Sequence, residues 1–390
     1  MSSERTRRVV GSHRLLRIAF VASGTFAGVA AAWAAIVALR GGAWWGPLHA
    51  FVIGAVLASI SGATQMFTIT WANAPPPPRW MPIGQGSALV AGTIAVLVGV
   101  TASVPSLVWV GGSTIVASLV LLAASLVHVI RRSLLRRFDL SLRFYLLALA
   151  CGIVGVTLGT LLGTGVADLG VVRLVHLHLN LVGLVGFTIV GTLPTLLPTF
   201  AHHRMVSGRE AVAAWWGCVA AAGFIVAGLV GPVRLVGAGA VVAGTSGAVV
   251  LGGIVGRLGR RALKETLPYL QVTSGVVWLV AWTFADGIGL LRGVPTGRFA
   301  PWTAAAVIAG VGQVLAGSIA YLAPVVLGPP IGDNLRRMGR SPALPWTAAN
   351  VAGLALVCGF PVVAAAVGAV WLGDLARRVV GLRRPTRVVR

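Results

Sequence analysis

Three of the seven histidines in this chain stand where an imidazole could ligate a metal. His49 lies in Leu48-His49-Ala50-Phe51-Val52-Ile53-Gly54, directly after Gly46-Pro47, and His176 and His178 lie in His176-Leu177-His178-Leu179-Asn180-Leu181-Val182-Gly183. Each opens an apolar run, and a neutral imidazole is the commonest protein metal ligand. Ionisable groups inside a bilayer are costly and point first to function. Side chains two apart on a helix diverge by about 200°. His176 and His178 therefore serve two neighbouring sites, or one is a ligand and the other a hydrogen-bonding partner. The bland alternative is an interfacial histidine bonded to a loop carbonyl. His202-His203 beside Met205 could bind copper, but next to Arg204 the pair suits a helix C-terminus meeting lipid headgroups. His128 precedes Arg131-Arg132 as an interface residue, and His13 belongs to a basic tail.

The other chemistry-bearing groups argue by scarcity. Of eight carboxylates only Asp286 falls within an apolar run; Asp139, Asp168, Asp333, Asp374, Glu210 and Glu265 fall at run ends or in loops, and Glu4 in the tail. The one lysine, Lys264, is in a basic cluster. Proton pumping needs buried relays, so this pattern speaks against it. Cys151, Cys218 and Cys358 are too scattered for a redox pair or a disulfide framework. Met66 and Met205 are too few for a methionine-lined copper conduit. Gln65, Asn180, Gln313 and Asn350 read as hydrogen-bonding bridges between helices or as cavity-lining groups.

The elements that must position these residues follow from composition. The chain has 390 residues, 57% hydrophobic and 10% charged, with mean hydropathy +0.92. A soluble domain needs about 25% charged residues, so a soluble enzyme, a disordered chain and a coiled coil are excluded. The sequence predicts an all-α, polytopic membrane protein with twelve transmembrane spans at about 18–39, 47–71, 86–104, 107–130, 144–165, 172–199, 212–230, 235–256, 267–290, 301–326, 344–358 and 362–376. The run after the five arginines of residues 1–17 is too long for a signal-peptide core, so an uncleaved first span is expected. Residues around Pro105, Gly231-Pro232 and Gly359-Phe360-Pro361 supply the tightest reversals, although 344–376 could also be one long kinked helix. The thirteen tryptophans fit interfacial anchors.

The net charge of +23 is distributed as a topology signal rather than as a nucleic-acid footprint. With both termini in the cytoplasm, 26 of the 31 Lys and Arg residues lie inside and five outside. The expected location is the cell membrane, multi-pass, with basic cytoplasmic tails at 1–17 and 377–390.

An internal repeat underlies the spans. His49 aligns with His178, 129 residues on, and the glycines five and thirteen further match as Gly54 with Gly183 and Gly62 with Gly191. Another 126 residues on, at Ala304, Gly317 stands thirteen further and Pro324 matches Pro198, while Ala304 and Ala309 replace the histidine and the first glycine. Each step spans four helices. One transmembrane domain in three four-helix blocks, about 18–130, 144–256 and 267–376, is the expected organisation, with spans 2, 6 and 10 equivalent.

On these residues the chain resembles the catalytic-subunit fold of haem-copper oxidases and nitric oxide reductases, and more closely the NnrS family of haem- and copper-binding membrane proteins. The NnrS-type pattern here is His176-Leu177-His178 with Gly183, Gly191 and Pro198. It also resembles the membrane region preceding the cupredoxin domains of actinobacterial multicopper oxidases of nitrite-reductase type, through His176 to Gly183, Leu197-Pro198-Thr199 and Leu48 to Ala55. The resemblance implies haem and/or copper held by His49 and His178, with His176 as a further ligand, and a role in nitrogen-oxide or copper metabolism. It implies a redox partner such as a cupredoxin or cytochrome, with the lipid bilayer as surroundings and no nucleic acid. The alternative is a metal-free membrane carrier or scaffold of the same fold. Two departures bear on activity: span 10 and residues 212–230 contain no histidine, so the resemblance does not extend to oxygen reduction. The His-x-His span also falls in the second block, where the NnrS pattern has it in the first.

Overall fold

A computed structural model describes residues 3–133, 138–166, 170–201, 203, 208–258, 266–294 and 296–382. His202, Met205, Asp168, Lys264, Glu265 and the last eight residues of the basic tail lie outside the described residues. The described residues are mostly helical, with no strand among them. Among them, ten helices are long and apolar enough to cross a membrane: α1 (Ser3–Arg40), α2 (Trp45–Ala72), α3 (Trp80–Thr101), α4 (Pro105–Arg131), α5 (Asp139–Gly163), α6 (Val171–Phe200), α7 (Arg209–Ala227), α8 (Arg234–Leu258), α9 (Leu267–Leu291) and α10 (Ala300–Leu327). This is the structure a bilayer demands, since a helix satisfies its own backbone donors and acceptors where no water can. The protein is a multi-pass membrane protein by this measure.

Three further helices follow: α11 (Ile331–Gly339), α12 (Ala343–Val357) and α13 (Pro361–Val380). Residues 344–376 are thus two helices, broken at Gly359, whose φ of +80° ends one before Pro361 starts the next. Residues from Ser3 onward continue the first apolar helix, so the basic segment expected as a tail is an extension of α1.

The chain forms two compact units, Met1–Thr188 and Ile189–Arg390. In the first, α1 packs on α2, α3 on α4, α4 on α5 and α5 on α6. In the second, α7 packs on α8, α8 on α9, α9 on α10 and α12 on α13. Small residues allow these approaches. A methyl group on Gly62 would stand 2.3 Å from Cβ of Ala19 in α1, and one on Gly317 would stand 2.9 Å from the Pro268 carbonyl in α9.

Four buried or half-buried amide side chains take part in bridges between helices. Gln65 Nε2 donates to Gln85 Oε1 at 3.2 Å and Gln85 Nε2 to Ser118 Oγ at 3.0 Å, joining α2, α3 and α4. Asn350 Oδ1 accepts from Trp278 Nε1 at 2.9 Å and from Gln313 Nε2 at 3.4 Å, joining α9, α10 and α12.

Candidate functional site

The helices α2, α6 and α10 share two features. In each, one turn is π-helical: Ala50–Val56, Leu179–Gly186 and Ala306–Val311. π-Turns are rare and concentrate at functional sites. They are also the most buried of the ten, with 78%, 78% and 67% of their most apolar stretch inside, against 22–50% for the other seven. The first π-turn begins one residue after His49 and the second one residue after His178.

His49 and His178 repeat each other in detail. The His49 Nδ1 bonds the Trp45 carbonyl at 2.8 Å and the His178 Nδ1 bonds the Leu174 carbonyl at 2.9 Å, each one turn back in its own helix. His178 is fully buried, whereas His49 is half-buried, stacked on Trp45 with ring centroids 4.2 Å apart and planes at 20°. His176 turns the other way, towards α5, where its Nδ1 bonds the Gly155 carbonyl at 2.7 Å.

A carbonyl oxygen only accepts, so in all three histidines Nδ1 carries the proton and Nε2 holds the lone pair. That is the tautomer a metal-ligating histidine takes when a backbone carbonyl orients it. Among the described residues, the hydrogen bonds of the His49 and His176 rings run through Nδ1. By this tautomer each of the three expected ligands, His49, His176 and His178, fits an imidazole-ligated group.

Glycines in α5 make the place for His176. Methyl groups on Gly159, Gly155 and Gly152 would stand 2.5 Å from His176 Cε1, 2.5 Å from Asn180 Nδ2 and 2.9 Å from a Leu184 methyl. His176, Asn180 and Leu184, four residues apart along α6, thus sit in three glycine seats of α5. Asn180 Nδ2 also donates to the His176 carbonyl at 2.8 Å. The sequence carries a signal for these seats in the Gly152, Gly155, Gly159 spacing, and for the His49 stack in Trp45 four residues earlier. Neither belongs to the histidine motifs that point to a ligand, which is why the motifs alone do not reveal them.

The remaining candidates are elsewhere. His203 is exposed, with its amide donating to the Pro198 carbonyl at 2.8 Å. Asp286 is buried in α9, and Cys151 and Cys218 are buried single cysteines. No group of three or more His, Cys, Asp or Glu placed to hold a metal is found among the described residues. The chain matches no protein-family model and no curated protein.

Proposed function

We propose that this chain is a haem- or copper-binding membrane protein of the haem-copper oxidase and NnrS type, linked to nitrogen-oxide or copper metabolism, with His49 and His178 as ligands and His176 as a further one. One observation carries the reading: all three rings bond a backbone carbonyl through Nδ1, which sets the tautomer that ligates through Nε2. Haem iron or copper, when bound, would supply one-electron chemistry or nitric oxide binding. The chain's part is to fix the imidazoles in one tautomer, Trp45 bracing the His49 ring and the α5 glycines admitting that of His176.

Twelve spans in three blocks form the frame of this proposal. The shared π-turns, the burial of α2, α6 and α10, and the matching His49 and His178 hydrogen bonds support it. The cell membrane and cytoplasmic termini belong to the same proposal, from the arginine distribution.

The test is an optical spectrum and metal analysis of the purified protein after supply of haem and copper. Two imidazoles on haem iron give a low-spin spectrum, which His49→Ala or His178→Ala abolishes; copper would need a third ligand, for which His176→Ala is the test. Absence of both a Soret band and stoichiometric copper sinks the reading. A second reading, a metal-free carrier or scaffold, is favoured by the seating of His176 and Asn180 in the α5 glycines, which is also good helix packing. On that reading His176→Asn leaves transport or assembly intact.

A further inference from the structure

Away from the histidine pair, the α4–α5 corner holds two adjoining pockets that share Arg131. The first, about 340 Å³, lies between α3 and α4 and is lined by Met81, Ala124 and Val127 on its apolar side and by His128, Arg131 and Arg132 on its basic side. The second, about 450 Å³, lies between α4 and α5, with Leu142 and Leu146 below and Arg131, Ser133, Asp139 and Arg143 at its mouth. Arg131, Arg132 and Arg143 are exposed and make no ion pair among the described residues. His128 Nε2 is shielded and has no hydrogen-bond partner. Ser133 is otherwise engaged, its hydroxyl donating to the Ala72 carbonyl at 3.0 Å. Asp139 is the one carboxylate at the mouth of the second pocket and opposes an anion there; the first pocket has none.

An apolar wall ending in unpaired guanidinium groups and an unsatisfied imidazole is complementary to one kind of molecule: a lipid with acyl chains along the helix and an anionic phosphate at its head. Basic pockets between helices at a membrane surface take such headgroups, and the planar guanidinium matches a phosphate through two parallel hydrogen bonds. We propose that the α3–α4 pocket is a binding site for an anionic glycerophospholipid, its phosphate held by Arg131, Arg132 and His128 and its acyl stem lying on Met81, Ala124 and Val127. Arg143, across the second pocket, adds positive charge on the other side of Arg131.

Native mass spectrometry of the full chain in detergent tests this, with phosphatidylglycerol, with phosphatidylethanolamine of the same acyl chains, and with inorganic phosphate as competitor. Phosphatidylglycerol is expected to bind the wild type in preference to phosphatidylethanolamine and to resist inorganic phosphate. Arg131→Gln combined with Arg132→Gln should weaken it by about fivefold per arginine removed. The same charge loss at Arg336→Gln with Arg337→Gln should leave it unchanged. Arg131→Lys, which keeps charge without the planar fork, should fall between, and thermal melting shows that each variant is folded. Equal retention of both lipids, equal losses at the two arginine pairs, or displacement by inorganic phosphate at matching concentration would each overturn the site.

Discussion

Imidazole tautomers at His49 and His176 are set by backbone carbonyls, one on the ring's own helix and one on the neighbouring helix. The bond within α2 survives any shift of packing, but the bond to Gly155 requires α5 and α6 to stay in close contact. Gly159→Ala should push His176 off its seat and cost about 1–3 kcal/mol, the usual penalty for overpacking. Gly86→Ala, where a methyl group meets nothing within 4 Å, should be neutral or stabilising by up to about 1 kcal/mol. Thermal melts of the two variants in one detergent decide it, and equal melts would mean that the seat is not tight. Arg378 is a second single-residue dependence. Its buried guanidinium pairs with Asp374 and donates to the carbonyls of Met338 at 2.9 Å, Arg340 at 2.6 Å and Ser341 at 3.2 Å. Removing it strands several acceptors and a carboxylate, so Arg378→Ala should cost about 3–5 kcal/mol and open residues 331–342 to proteolysis. Lysine, with three donors on a point charge, should rescue only part of the loss.

Helices α2, α6 and α10 each carry one π-turn, and such a turn holds one more residue than an α-helical turn. Deleting that residue returns the helix to α geometry and leaves its N-terminal part facing nearly as before, because the wide turn has absorbed the extra residue. Deletion of Leu179 should therefore keep α6 helical with His176 and His178 near their present neighbours. A circular dichroism spectrum that stays helical, together with retention of any haem or copper signal, is the expected outcome. Loss of the signal would mean that the site depends on the π-turn itself. The third π-turn, in α10, has Ala304 and Ala309 in place of the histidine and glycine. The wide turn there comes without a candidate ligand, so it serves packing, and shortening it should affect stability alone.

The whole molecule can be tested through its own cysteines. Cys151 and Cys218 are buried and Cys358 is exposed, between α12 and α13. In the twelve-span arrangement with cytoplasmic termini, Cys358 faces outward. A membrane-impermeant maleimide added to intact cells should label the protein at that one position, and Cys358→Ser should abolish labelling. Labelling only after permeabilisation would mean that α12 and α13 do not both cross, or that the orientation is reversed.

The helices are legible in the amino-acid order itself: ten of the twelve expected spans fall on helices long and apolar enough to cross a membrane, the first of which starts fifteen residues earlier than expected, and the last two fall on helices outside that set. An apolar run in lipid has one way to satisfy its backbone, so composition alone dictates the element. Turn residues such as Gly359 and Pro361 mark the ends for an equally local reason. The repeat's histidines are legible too, as positions. What the sequence could not determine is direction. A π-turn changes the facing of every residue before it, and α-helical periodicity carries no sign of it. The seats made by Gly155 and Gly159 exist only once α5 lies against α6. Which histidine looks at which is a property of helix rotation and contact, and those are decided by the tertiary structure.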